Sequence, residues 1–162
     1  MALPEDFAAQ CLYDPRAWFI HDLLSVDREA RSVTALVDTT RLGDLVDAQI
    51  ELPGHPKHLP GAVCVQLTGT LASLLAAYVL DMPRSEGWVG FGTHIHQAAF
   101  PSMGKIGPAV HAEATVISRR IFRGTTFLRY RYHFTQDERV VYRAEHSAAW
   151  LQAPADVEPD LT

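Results

Sequence analysis

The 162-residue chain is poor in cysteine, carrying only Cys11 and Cys64, too few for a disulfide framework. It has no surplus of positive charge. Its 14 Lys and Arg stand against 19 Asp and Glu, and a formal net charge of −5 argues against a dedicated nucleic-acid binder. No glycine-rich phosphate loop of either nucleotide type is found, so no cofactor is indicated. The absence of a G-x-y period and of a sustained heptad removes fibrous readings. The opening Met1-Ala2-Leu3-Pro4-Glu5-Asp6 lacks the basic and apolar regions of a secretory leader, and we expect a cytoplasmic protein. What the chain does have is apolar bulk. Hydrophobic residues make up 48% and aromatics 9%, enough to build a core for one domain and too much for disorder.

One stretch, Leu59 to Leu80, holds no charged residue and is long enough to cross a bilayer. It is interrupted by Pro60, Gly61, Gln66, Thr68, Gly69, Thr70 and Ser73, and alternating segments follow it, so a helix buried in a globular fold explains it better than a membrane span. Upstream, Trp18 to Val26 and Ser32 to Thr39 flank the polar turn Asp27–Arg31, a hairpin signature. Pro53 to Gly61 is a loop stiffened by three prolines and bent at two glycines. The helix is expected to start near Ala62 and to end by Pro83. Four strands follow, at Trp88–Ala98, Ala109–Ile117, Thr126–Phe134 and Val140–Leu151. In the second of these Val110, Ala112, Ala114 and Val116 alternate with polar residues, and in the third Leu128, Tyr130, Tyr132 and Phe134 do so. A hairpin, a long apolar helix and a four-strand meander describe an α+β fold with a curved antiparallel sheet wrapped around one helix. We expect one domain over 1–162, its core at about 16–151, with frayed ends at residues 1–12 and 153–162.

The order and spacing resemble the hotdog fold, and in particular the β-hydroxyacyl-carrier-protein dehydratases of fatty-acid synthesis. Glu51-Leu52-Pro53-Gly54-His55-Pro56-Lys57-His58-Leu59-Pro60-Gly61 is similar to that family's His-Phe-Pro-Gly-x-Pro-x-x-Pro-Gly loop, with one extra residue. The hairpin from Trp18 to Asp27, and Phe100 with Gly107-Pro108, match in order. Similar loops occur in hotdog thioesterases. The resemblance implies an acyl thioester of CoA or of a carrier protein as substrate. It also implies a loop histidine working with an acid five residues after the Pro-Gly glycine. Here that helix position is Gln66, and no Asp or Glu occurs from Leu52 to Leu80. The loop position falls on Glu51, His55 or His58, depending on where the extra residue lies.

Missing that acid, the chain is expected to hydrolyse its thioester. A dehydratase or hydratase with a non-standard pair, and a non-catalytic acyl-binding subunit, are the alternatives. The Gly61 amide, at a helix N-terminus, suits an oxyanion. His55, fixed between Pro-Gly and Pro, or Glu51 would activate water. Gln66 can position a reactant but carries no proton. His58 and Thr70, one turn beyond Gln66, are candidate substrate contacts. Arg119, Arg120 and Arg123 suit CoA phosphates or an acidic carrier protein, or form a solvated basic face. Thr93-His94-Ile95-His96 places two imidazoles on one strand face, but without a third ligand we expect no metal. A lone curved sheet leaves an unpaired edge, so a homodimer, or a higher assembly of dimers, is expected.

Overall fold

The computed structural model describes residues 2–153. Its elements are α1 (Phe7–Gln10), β1 (Asp22–Asp27), β2 (Ser32–Val37), α2 (Asp44–Asp47), α3 (Gly61–Tyr78), β3 (Trp88–Ala99), β4 (Val110–Phe122), β5 (Thr125–Gln136) and β6 (Arg139–Gln152). The strands form one antiparallel sheet in the order β1-β2-β4-β5-β6-β3. The helix α3 packs on β2 and β4 and lies across the inner face of the sheet.

Period-2 patterning places the core. Val110, Ala112, Ala114 and Val116 of β4 are buried, as are Leu128, Tyr130, Tyr132 and Phe134 of β5 and Tyr142, Ala144 and Trp150 of β6. Small side chains on β4 leave room for the helix, which contributes Val63, Cys64, Leu67, Leu71, Leu74 and Leu75. The apolar run from Leu59 is thus a core helix. Its outer stripe of Ala62, Val65 and Gln66 stays partly or wholly uncovered. Trp150 lies over Gly90, where a Cβ would stand 2.5 Å from the indole, and its Nε1–H donates to the Tyr130 hydroxyl at 2.8 Å.

Several expectations are corrected. The N-terminal stretch is anchored: Phe7 is fully buried against Trp18, ring centroids 4.7 Å apart, and the Tyr78 hydroxyl donates to Asp6 at 2.8 Å. A four-residue helix is too short to show a period, which hid this packing. The first strand begins at Asp22, because Phe19 takes a positive φ of 57° that breaks extended pairing. The second meander strand runs on to Phe122, and a register shift between Val116 and Ser118 broke the alternation that would have shown it. The expected C-terminal tail, beyond residue 153, lies outside the described residues.

Candidate functional site

The loop before α3 is built from local chemistry. Leu52-Pro53-Gly54-His55 closes on itself, with the Leu52 N–H donating to His55 O at 3.1 Å and the His55 N–H to Leu52 O at 2.8 Å. Proline second and glycine third, with Gly54 at φ 76°, is the chemistry of a type II turn. The His58 backbone is clamped from outside the loop. Its N–H donates to Gln49 Oε1 at 3.0 Å, and Gln49 Nε2 donates back to His58 O at 2.8 Å. The Leu59 N–H then donates to Gly104 O at 2.9 Å. A Cβ on Gly104 would stand 2.8 Å from Leu59 Cβ, so only glycine permits this approach.

Pro60 leads into the helix in extended geometry and offers no side-chain cap. Val63 and Cys64 donate to Pro60 O, while among the described residues the Gly61 and Ala62 N–H groups have no partner. Beside Gly61 opens a cavity of about 340 Å³, bordered by His58, Cys64, Phe100, Ser102 and Val141. The Phe100 ring lies so near Gly61 that a Cβ there would meet it at 3.1 Å. Among the described residues no carboxylate borders this cavity. The Cys64 thiol is pushed up to about 12 by burial, which removes it as a nucleophile near neutral pH.

Of the three loop groups, only His58 borders the cavity. Its Nδ1 faces Pro56 O at 3.3 Å, and since a carbonyl can only accept, Nδ1 carries the proton and Nε2 is left as the basic nitrogen. His55 is exposed at the turn, with its ring 5.1 Å from that of His58, and Glu51 is exposed on the approach to it. Gly61 stands where expected. Gln66 borders a different cavity, and its buried Nε2 has no partner among the described residues. Thr70 is fully buried, and its hydroxyl has no partner among the described residues and borders neither cavity, so it is not placed to touch substrate.

The arginine cluster is not brought to this site. Arg119, Arg120 and Arg123 lie at the β4–β5 turn, where Arg120 and Arg123 flank the Phe122 ring at 6.0 and 5.3 Å. That turn adjoins the Trp150 end of β6, whereas Val141, at the cavity, is roughly 30 Å away along the strand. The basic groups that do adjoin the cavity are Lys105 and Arg139. They border, with Asp137, a cleft of about 400 Å³ that shares Ser102, Met103 and Val141 with it. Their separation in sequence hid this pairing. It depends on Gln136, whose amide accepts from the Lys105 N–H at 2.7 Å and donates to Lys105 O and Pro108 O. His94 and His96 stack at 5.8 Å, and His96 Nε2 pairs with Ser147 Oγ at 2.7 Å. Among the described residues no group of three His, Cys, Asp or Glu side chains is placed to hold a metal.

No protein-family model matches this chain, and no curated protein matches it in sequence. Solved structures do match its fold. One chain of the dehydratase heterocomplex ApeI:P from Xenorhabdus doucetiae aligns with a TM-score of 0.63 at 11% identity, over 96% of this chain and 94% of that one. A mutant thioesterase from Pseudomonas aeruginosa aligns with a TM-score of 0.57 at 20% identity, over 84% of each. A phenylacetic acid degradation-related protein from Ralstonia eutropha aligns with a TM-score of 0.55 at 18% identity, over 78% of this chain and 82% of that one. The curved six-stranded antiparallel sheet closed on α3 is the hotdog fold, shared with thioesterase and dehydratase structures.

Proposed function

We propose that the chain is an acyl-thioester hydrolase acting on acyl-CoA or acyl-carrier-protein substrates. The observation that carries this reading is the pair of amides, Gly61 and Ala62, that have no partner among the described residues, beside a cavity with an imidazole at its rim and, among those residues, no carboxylate. The thioester oxygen accepts from these N–H groups, where the helix macrodipole favours the charge that develops on it. His58 Nε2 takes a proton from water as the water oxygen bonds to the carbonyl carbon. The tetrahedral adduct then collapses, the C–S bond breaks, and the leaving thiolate recovers the proton from the imidazolium. His55, whose ring meets that of His58 at 5.1 Å, stands beside the base and outside the cavity, and Glu51 takes no part in this scheme. Lys105 and Arg139 offer counter-charge to the phosphates of CoA or of a carrier protein's prosthetic arm.

A second copy of the chain completes the particle. The strand β3 is an edge of the sheet, Phe91 and Ile95 on it are exposed, and Val65 on the outer stripe of α3 is exposed as well. Pairing two β3 edges covers these groups by a two-fold operation. Free, buried Cys11 and Cys64 accord with a reducing, cytoplasmic setting.

The test is incubation of the purified chain with acyl-CoAs of several lengths while free thiol is followed. Thiol release that falls at least tenfold in His58→Ala supports hydrolysis. Change in enoyl-thioester absorbance without thiol release would make the chain a hydratase. Saturable binding with neither signal would make it an acyl-binding subunit.

A further inference from the structure

A separate cavity, of about 440 Å³, lies where the chain enters β1. It shares no lining residue with the Gly61 cavity or with the Lys105 cleft. The strand β1 is the edge of the sheet opposite β3, so pairing of two chains through β3 takes place on the far side of the sheet from it. Four consecutive residues, Trp18, Phe19, Ile20 and His21, border this cavity. An extended strand would send alternate side chains to opposite faces, and Phe19 breaks that alternation with a φ of 57°, a value rare for an aromatic residue. The kink is clamped from both sides. Trp18 Nε1–H donates to Tyr13 O at 2.8 Å, and the His21 N–H donates to Leu36 O at 2.9 Å. Backbone strain held in this way clusters at ligand-binding sites.

The side-chain polar groups of the cavity are donors. The Asp38 N–H donates to His21 Nδ1 at 2.9 Å, so the neutral ring carries its proton on Nε2. Burial, and then the Arg41 charge, hold this imidazole below its ordinary pKa against the opposing pull of Asp38 and Asp22, so it is neutral near pH 7. Arg16 and Arg41 add guanidinium groups, and among the described residues no Asp or Glu borders the cavity. Arg16 is already committed, its Nε paired with Asp14 at 2.9 Å. Arg41 has no ion pair among the described residues, and the nearby Asp38 carboxylate accepts instead from the Thr40 N–H at 3.0 Å and the Thr40 hydroxyl at 2.6 Å. One uncommitted positive charge matches a monoanion, whereas a phosphate dianion would bring a second negative charge toward Asp14, Asp22 and Asp38. The planar guanidinium fork matches the two oxygens of a carboxylate. Leu3, Pro15 and the two aromatic rings make the remaining wall apolar.

We propose that this cavity binds a carboxylate monoanion with an apolar or aromatic body, its oxygens on the Arg41 guanidinium and the His21 Nε2–H and its body against Trp18 and Phe19. The site does not depend on what happens beside Gly61, although the acid that thioester hydrolysis releases belongs to this class.

Isothermal titration of the purified chain compares 3-phenylpropionate and hexanoate with 3-phenylpropan-1-ol and 3-phenylpropyl phosphate. Both carboxylates should saturate at one per chain, with the alcohol and the phosphate weaker by about tenfold or more. Arg41→Gln, at an exposed position, should weaken the carboxylates by about tenfold or more and leave the alcohol unchanged. His21→Phe should weaken them as well, and His21→Gln, which keeps an N–H donor, should recover part of the loss. Absence of saturation in the wild type overturns the proposal, as does equal binding of the alcohol or the phosphate. Carboxylate binding undiminished in Arg41→Gln, as binding beside Gly61 alone would be, overturns it too, and Arg41→Gln decides alone if the His21 variants do not fold.

Discussion

Replacing Gly61 by alanine separates the role of its amide from the role of its shape. The backbone here needs no positive φ, so alanine is conformationally permitted at the first position of α3. Its Cβ would meet two Phe100 ring carbons at 3.1 and 3.3 Å. That ring is half exposed, so it can yield by a few tenths of an ångström toward solvent. Fewer accessible unfolded conformations make Gly→Ala worth about 0.4–1 kcal/mol of stability at a compatible site. In a chain of this size, that raises Tm by roughly 1–4 °C. Activity should move the other way. Losing an oxyanion donor outright costs about 10²–10³ in rate. A methyl group keeps the donor but pushes the carbonyl away from it, and we expect kcat/KM to fall about 10–100-fold on the same scale. Thiol-release kinetics and thermal unfolding on one preparation read both quantities. Phe100→Ala in the Gly61→Ala background should recover part of the rate, since it removes the ring that crowds the methyl. A Gly61→Ala enzyme at least as stable as the wild type with undiminished kcat/KM would refute the assignment of this amide.

Four further outcomes are expected. Gln136→Leu removes the side-chain partner of the Lys105 N–H and Lys105 O, leaving Pro108 O with the Thr39 hydroxyl alone, and should cost about 1–3 kcal/mol in denaturant unfolding, with thiol release falling as the cleft loses its wall. Gly104→Ala drives a methyl to 2.8 Å from Leu59 Cβ and should destabilise by about 1–3 kcal/mol, and an unchanged urea midpoint would show that the two loops are not locked together. His21 and His146 are both held below their ordinary pKa, chiefly by burial, with Arg41 acting on the first and His96 on the second. Asp22 and Asp38 oppose the shift at His21, while Tyr132 and Tyr142 pack on His146 as neutral groups. The unfolded chain therefore takes up protons that the folded one refuses as pH drops through about 6.5, so stability should be full above that pH and decline below it, and His21→Phe should flatten the slope in unfolding measured from pH 8 to 5. If two chains pair through β3 as proposed, Ile95→Lys should lower the mass in light scattering from dimer to monomer, and a wild-type monomer or an unaltered mass would refute that pairing.

Where a side chain's surroundings follow from local period, the sequence was enough. The alternation from Leu128 to Phe134 put the β5 core on the correct face, and the uncharged run after Pro60 marked the buried helix. Reading failed where tertiary contact overrides pattern. Phe7 sits in a helix too short to be periodic, yet Trp18 and Tyr78 bury it completely. The shift between Val116 and Ser118 lets β4 continue while moving its side chains to opposite faces, and a period-2 reading stops there. Asp44–Asp47 and the turn before it left no signal, since four residues cannot distinguish a helical turn from a loop.

The site divides along the same line. Pro60-Gly61 could be found because proline and glycine restrict the backbone by themselves, and the structure keeps those amides unpartnered beside a cavity. The flanking prolines favour His55 over His58, but both lie in one proline-bounded loop and differ only in what holds them, and it is His58 that borders the cavity. His58 is fixed by Gln49 from before the loop, and the next residue by Gly104 from beyond the helix. Gly104 is in turn held near Lys105, which Gln136 fastens to the end of β5. The hydrogen bonds that aim this imidazole therefore come from three segments that no local spacing connects. A motif of prolines and glycines states that a bend exists, while residues far along the chain decide which side chain the bend delivers. In the proposed hydrolase, a chain without the expected helix acid can for that reason still bring an imidazole to the cavity, provided those distant residues hold the loop in register with the Gly61 N–H.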